Sequence, residues 1–325
     1  MCVSIDEALA GIGRRVSVRR VVGSRDGKPL FTDVLGVLEA ADAEVVVRRP
    51  DRTTVSFPRA AVVAAKLVPP AGLRVPDRDL EEIAALGWGG LETERLGDWL
   101  LRASGGFTGR ANSVLTVGDP GRPLDEAVPF VERWYADRGL PARFQVPMPH
   151  AAVVDRWLVE QGWSLLDEVR VLVADLEPLA WPPLRDTRVR IDAHPDEAWL
   201  ASYHYRGGEL PAHARAVIEH GGTLGFASVR TPAGQVLAIG RGAVDRGWLG
   251  LTAVEVEPSA RRQGLGVVVL RALAGWAVER GARSCYLQVA VENAPALSLY
   301  QRAGFVDHHR YQYRVPPRPP SSEPL

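Results

Sequence analysis

Lysine is nearly absent from this 325-residue chain: only Lys28 and Lys66 occur, so arginine carries almost all of the positive charge. Net charge is absent as well. The 39 basic and 39 acidic residues balance, which excludes the bulk field that draws a protein to nucleic acid or to an anionic membrane. Cysteine is limited to Cys2 and Cys285, too few for a disulfide framework or a thiolate zinc site. Cys285 sits in the apolar run "CYLQV" and reads as a small buried hydrophobe. No apolar run approaches the ~18 residues needed to span a bilayer. The opening "MCVSIDEALAG" has neither the basic nor the apolar stretch of a secretory signal. The expectation is a cytoplasmic protein without a membrane contact. Apolar residues at 46% and charged residues at 24% suit globular cores, and the length calls for two or three domains.

Residues 1–70 read as a small antiparallel β-barrel. "SIDE" is a capping-box pattern for a short helix that Gly11 or Gly13 ends. Four valine-rich runs follow, "VSVRRVV", "TDVLGVL", "AEVVVRR" and "TTVSFP", alternating in polarity and punctuated by Gly, Asp and Pro. Arg14, Arg15, Arg19, Arg20, Arg48 and Arg49 allow a basic patch, but few aromatics interleave with them. A structural role is therefore favoured over nucleic-acid binding. "VPPAGLRVP" reads as a linker.

Residues 77–180 read as mixed α/β. "LETERLGDWLLRA" suits a helix, or a helix running into a strand. "ANSVLTVG", "ARFQVP" and "EVRVLVADL" are strands, and "LDEAVPFVERWYADRG" and "VVDRWLVEQGW" are helices. Residues 186–315 repeat that order. Helices at "PDEAWLASYHY" and "ELPAHARAVIEHGG" follow the strand "TRVRI", and then come the strands "TLGFASVR", "QVLAIGRGAV" and "WLGLTAVEV". A helix from Leu265 places Leu265, Val268, Val269, Ala272, Leu273, Trp276 and Ala277 on one face, with Gly281 ending it. "RSCYLQVAV", a helix capped by Asn293 and "FVDHHRYQYRV" close the fold. Residues 316–325, rich in proline, read as a disordered tail. "FQVPMPHAAVVDRWLVEQGW" echoes "LQVAVENAPALSLYQRAGF", which suggests a tandem duplication.

The chemistry concentrates in "VEPSARRQGLG". A strand breaks at Pro258, and two arginines and two glycines then open a long helix. Backbone N–H groups at a helix start have no internal partners and lie at the positive end of its dipole. Glycine leaves them uncovered, so a pyrophosphate is the natural guest. The pattern is neither the G-x-G-x-x-G of a dinucleotide fold nor a P-loop ending in G-K-[ST].

With these residues the chain resembles the GNAT superfamily of acetyl-CoA-dependent N-acetyltransferases. Arg261, Gly264 and Gly266 match its Q/R-x-x-G-x-G/A loop. Asn293, Ala296, Leu299, Tyr300, Gly304 and Phe305 match its later Asn, A-x-x-L-Y and G-F signature. The layout is also similar to actinobacterial tandem GNATs, a group that includes mycothiol synthase; the first unit lacks the loop and is degenerate. The fold class implied is α+β or α/β: a small β-barrel, then two GNAT-like units.

The resemblance implies acetyl-CoA as co-substrate. Pantetheine would lie along Val254 and Val256 like an added strand. The amides of Arg262, Gln263, Gly264, Leu265 and Gly266 would hold the pyrophosphate, with Arg261 beside them, and Asn293 would touch the cofactor arm. A primary amine, on a small molecule or a peptide, would attack directly while Tyr300 protonates the leaving thiolate.

At the base the chain departs from the family pattern. Gln288 fills the strand position where several relatives carry Glu or His, and Gly250 fills another acid position. Glu255 is the nearest carboxylate and the candidate base, although a solvated edge Glu also fits it. His204, flanked by Tyr203, Tyr205 and Arg206, falls where acceptors are held. His308 and His309 are adjacent on a strand and so are expected to face opposite ways, which leaves no metal site. A non-catalytic acetyl-CoA-binding regulator is the competing function. The sequence carries no signal for the oligomeric state.

Overall fold

Valines that alternate with arginine and serine from Val16 onward should bury every second side chain on a strand. The computed structural model, which describes residues 5–49, 51, 53–68, 75–204 and 210–317, follows that rule. The chain divides into two compact units, residues 1–73 and 74–325.

In the first unit, helix α1 (Ile5–Leu9) precedes β1 (Arg15–Arg25), β2 (Lys28–Ala41), β3 (Glu44–Arg48), β4 (Thr54–Pro58) and β5 (Val62–Leu67). The sheet is antiparallel, in the order β4-β3-β2-β1-β5. Asp26 and Gly27 both take positive φ, 52° and 73°, which gives the two-residue hairpin loop that matches strand twist. Val16, Val18, Leu38, Val45, Val47 and Phe57 make the core, and Ala8 and Leu9 of α1 lie on it. β5 has no counterpart among the four expected strands; a short turn at Arg59–Ala61 separates it from β4. Ser4 and residues 69–74 of the expected linker lie outside the described residues. The basic patch is partly neutralised: Arg19 donates to Asp33 at 2.8 and 3.0 Å, and Arg48 donates to Glu39 at 2.7 Å.

The second unit opens with α2 (Asp77–Gly87), then β6 (Glu92–Leu96), β7 (Trp99–Ala103), β8 (Val114–Leu115), α3 (Leu124–Ala136), β9 (Phe144–Met148), α4 (Ala152–Glu160) and β10 (Ser164–Asp175). It continues with α5 (Leu176–Ala180), β11 (Val189–Asp192), α6 (Glu197–Ala201), α7 (Ala214–Ile218), β12 (Thr223–Arg230), β13 (Val236–Asp245) and β14 (Trp248–Val256). The last elements are α8 (Leu265–Val278), β15 (Ser284–Ala290), α9 (Ala294–Arg302) and β16 (Val306–Val315). The expected helix over "LETERLGDWLLRA" is instead the β6–β7 hairpin, with Leu96 opposite Trp99. Gly97 turns the chain at φ 56°, and a Cβ there would collide with the backbone of Asp119 and Pro120. That tight turn overrides the helix-like charge spacing of "ETER".

Among the described residues, the eleven strands of this unit form one sheet, in the order β11-β12-β13-β14-β15-β10-β16-β9-β8-β7-β6. The two halves of the sheet interleave their strands. β10, the last strand of the first half, lies between β15 and β16 of the second. β16, the last strand of the second half, lies between β10 and β9 of the first. The parallel pair β8–β9 on one side mirrors the parallel pair β14–β15 on the other. Of the expected face, α8 buries Leu265, Val269, Ala272, Leu273 and Ala277, while Val268 and Trp276 are half-buried; Leu270 and Ala274 are buried as well, against a core that also takes Leu172 and Ala174 of β10 and Leu176 and Leu179 of α5.

The expectation that His308 and His309 face opposite ways is overturned. β16 pairs His309 with Val171 and Asp307 with Leu172, leaving His308 as an extra residue. This β-bulge breaks the period-two alternation. The two rings meet, with their Nδ1 atoms 2.8 Å apart.

Candidate functional site

β14 and β15 begin as parallel neighbours, with Trp248–Leu251 opposite Ser284–Leu287, and their pairing stops there. Against β13, Glu255 pairs with Ile239 and Thr252 with Arg241, so Ala253 and Val254 together oppose Gly240. Ala253 takes a left-handed φ of 52°, a conformation that costs a non-glycine residue about 1–2 kcal/mol. The bulge turns the end of β14 away from β15 and leaves its backbone from Thr252 to Val256 without a strand on that side. Val254 and Val256 pack towards α8.

Where β14 ends, a short turn at Pro258–Ala260 leads into the loop. Gly264 caps α8 with φ 76°, and nothing lies within 4 Å of where its Cβ would be. Arg262 also takes a positive φ, 62°. Val267 and Val268 donate to the Gly264 carbonyl at 3.0 and 3.1 Å. Among the described residues, the amides of Arg262, Gln263, Gly264, Leu265 and Gly266 have no hydrogen-bond acceptor. Five free donors at a helix start, beside the exposed Arg261 and Arg262, form an anion cradle. Gly266 serves packing instead. A Cβ there would press on Leu299 at 3.2 Å, so this glycine lets α8 approach α9. Leu265 is a core residue, 3% exposed. Arg261 donates to the Val256 carbonyl at 3.2 Å, which ties the loop to the end of β14.

Asn293 caps α9 by accepting from the Ala296 amide at 3.2 Å. Tyr300 stands two turns along that helix, 9% exposed, with its ring edge-on to Phe305 at 5.7 Å. Burial pushes its phenol up to about 12, while the nearby Arg110 guanidinium pulls the other way.

Two positions at which the resemblance implies an acid or base hold other residues. Gln288 accepts from Arg110 Nη1 at 3.0 Å. Gly250 lies against the Tyr286 hydroxyl, which a Cβ would strike, so no acidic side chain fits there. Glu255 is half-buried, and both its carboxylate oxygens lie 3.1 Å from the His204 amide; the His204 Nδ1 is 3.5 Å away. Ser202, His204, Val236, Ile239, Glu255 and Glu257 help to line a cleft of about 440 Å³. Tyr203 packs on Trp199 at 6.0 Å, whereas Tyr205 and Arg206 lie outside the described residues.

Two further arginines, Arg110 and Arg241, carry no signal in the sequence. Arg110 comes from the β7–β8 loop of the other half, lies 5.6 Å over the Trp88 ring, and reaches Gln288. Nothing in "FTGRANS" marks an arginine that acts across 178 residues. Arg241 is fully buried and donates to the carbonyls of Gly87, Ile218 and His220 at 2.7–2.8 Å. It joins the C-terminal ends of α2 and α7 to β13, and burial pulls its guanidinium down to about 10. The spacing of β13 resembles that of any core strand, so the role is set by distant carbonyls.

The first half treats the equivalent loop differently. Between β8 and α3 two amides are held by acidic side chains: the Gly121 amide donates to the Asp119 carboxylate at 2.7 Å, and the Asp119 amide to Asp98 at 3.0 Å. Asp125 and Glu126 stand in the first turn of α3, where they would repel an anion. Pro120 and Pro123 have no N–H to offer. In α4, Leu158 holds the seventh place, which Tyr300 holds in α9.

A family profile described as "Probable histone acetyltransferase Rv0428c C-terminal" matches residues 77–314, and one described as "Rv0428c N-terminal Sm-like domain" matches residues 10–66. The chain is 35% identical over 318 residues to the probable histone acetyltransferase Rv0428c of Mycobacterium tuberculosis, covering 93% of this chain and 95% of that protein. It is 28% identical over 243 residues to the uncharacterized N-acetyltransferase YobR of Bacillus subtilis, covering 73% of this chain and 98% of the relative. Among solved structures, a GCN5-related N-acetyltransferase from Kribbella flavida superposes with a TM-score of 0.58 at 16% identity, over 76% of this chain and 97% of the other.

Proposed function

The chain belongs to the GNAT N-acetyltransferases, in the group of the probable histone acetyltransferase Rv0428c, and from that premise we propose that it moves the acetyl group of acetyl-CoA to a primary amine at the opening between β14 and β15. The observation that carries the reading is the pairing of that opening with five free amides at the start of α8. Acetyl-CoA would supply an acyl thioester open to direct attack by an amine.

The chain's own residues divide the work. The free edge of Thr252–Val256 accepts an extended pantetheine arm as an added strand would be accepted. The amides of residues 262–266, with Arg261 and Arg262, hold a pyrophosphate, and Asn293 adjoins the arm while capping α9. Tyr300 keeps its proton at neutral pH and donates it to the leaving thiolate. Glu255, held by the His204 amide, takes a proton from the amine through the cleft. Glu255 and Glu257 outnumber the single arginine of that cleft, Arg261, which favours acceptors that arrive as ammonium ions, the lysine side chain among them. The name of the Mycobacterium tuberculosis relative points the same way. Residues 77–180 and 186–315 are read as two repeats, with transfer confined to the second. Membership among N-acetyltransferases leaves the regulator reading without support.

The test is release of free thiol from acetyl-CoA in the presence of an amine panel that spans polyamines, aminoglycosides and lysine-rich peptides. Turnover is expected with cationic primary amines and not with neutral aromatic ones. Absence of turnover across the whole panel would remove the proposal.

A further inference from the structure

His308 and His309, brought together by the bulge in β16, meet Asp77, the first residue of α2. The outer nitrogen of each ring has a partner that can only accept: His308 Nε2 lies 2.8 Å from the Val75 carbonyl, and His309 Nε2 lies 2.8 Å from Glu81 Oε1. In the neutral rings the proton therefore sits on Nε2, and both Nδ1 atoms present lone pairs. Those lone pairs face each other at 2.8 Å. The Asp77 Oδ1 completes the group, 3.5 Å from one and 4.0 Å from the other. Three acceptors converge with no donor among them, an arrangement that a cation at their centre would stabilise.

The surroundings are built to hold it. His309 is 2% and His308 9% exposed, against 28% for Asp77, so the group opens to solvent only beside the carboxylate. Glu81 is 1% exposed. Its other oxygen accepts from Gln145 Nε2 at 2.6 Å, and Gln145 accepts in turn from the buried Arg102 at 2.7 Å. A carboxylate locked in this way fixes the tautomer and angle of His309, as the outer partner of a metal-bound histidine does. Ligand bonds of ~2.0–2.1 Å at tetrahedral angles put neighbouring ligand atoms about 3.3 Å apart, and the three separations here bracket that value.

We propose that Asp77, His308 and His309 form a binding site for a divalent transition-metal ion, zinc by its geometry, with a fourth position open to water beside Asp77. Two imidazoles and one carboxylate suit zinc and its neighbours better than calcium or magnesium, which take oxygen ligands. No catalytic step is assigned to the ion. It clasps the first turn of α2 to β16, the strand that the second half of the sheet inserts into the first, and so joins residues far apart in the chain.

The experiment uses the untagged full-length protein, stripped with chelator and titrated with Zn²⁺ or Co²⁺. One ion per chain is expected by elemental analysis, with the visible d–d bands of tetrahedral Co²⁺. His308→Gln and Asp77→Asn should each lose the ion and the bands. Asp77→Asn alters a partly exposed group and is the safer variant for folding. Glu81→Gln should weaken binding about 10–100-fold while circular dichroism stays unchanged. Zinc should raise the thermal midpoint of the wild type and leave that of His308→Gln unmoved. A wild type that takes up neither ion, or a His308→Gln variant that binds one ion as before, overturns the proposal. The first result would mean that a proton bridges the rings.

Discussion

At Tyr300, the burial that makes the phenol hard to ionise also keeps it a proton donor. A tyrosine in water ionises near pH ~10; here burial moves it up to about 12. Tyr300→Phe keeps the ring against Phe305 and removes only the hydroxyl. If that hydroxyl acts as the C–S bond breaks, kcat should fall about 10²–10⁴-fold with little change in the acetyl-CoA Kd. Unchanged turnover would make Tyr300 a core residue and nothing more. The same burial has a consequence for stability. Tyr135, Tyr286, Tyr311 and Tyr313 are also buried and raised. A folded pKa above the unfolded one means the contribution is complete below pH ~10 and lost as pH rises from there towards the folded value. The urea midpoint should hold between pH 8 and 9 and drop between pH 10 and 12; a flat profile over that range would contradict this. Tyr300 is legible because a local pattern, A-x-x-L-Y, surrounds it. Arg110 is not, because its partner Gln288 is remote in sequence. Simple alternation along a strand misplaces His308 and His309, because a bulge intervenes between them and their neighbours.

Between elements, what distinguishes the two halves is the turn that precedes a helix. The loop before α8 is flanked by arginines and leaves its amides free, whereas the loop before α3 turns two amides onto Asp119 and Asp98, has proline at two positions and carries Asp125 and Glu126 at the helix start. The loop before α8 is readable because glycine and arginine act locally through φ and charge. The strain at Ala253 is not, since alanine carries no turn signal and the bulge arises from the pairing with β13. Gly264→Asp should weaken acetyl-CoA binding by at least ~100-fold, because a carboxylate and a strained left-handed residue would sit in the anion cradle. The fold should survive, as the missing side chain points into open space. A folded variant with wild-type affinity by calorimetry would exclude this loop. The acidic loop and helix start of the first half lead to a stoichiometry: titration should give one acetyl-CoA per chain, and two equivalent sites would show that the first half binds as well.

In the whole molecule, the run of strands and helices is largely legible, because each segment announces itself by local periodicity and turn residues. The exchange of β10 and β16 is not, since register between strands distant in sequence depends on what each edge can pair with. That exchange makes a prediction about which pieces can stand alone. A chain of residues 186–317 would contain every residue proposed for transfer and would lack Arg110, which reaches Gln288. It would nonetheless lack β10, leaving β15 with an open edge, and β16 would lose both of its neighbours. It would also remove Leu172, Ala174, Leu176 and Leu179 from the core around α8. Exposed strand edges beside an incomplete core promote aggregation. The 186–317 piece is therefore expected to be insoluble, or to unfold without a cooperative transition. Residues 75–317, which retain the whole eleven-stranded sheet, should melt cooperatively and bind acetyl-CoA like the full chain. Thermal unfolding and calorimetry on the two pieces decide the matter: a soluble 186–317 chain with full acetyl-CoA affinity would mean that the strand exchange is dispensable to the site.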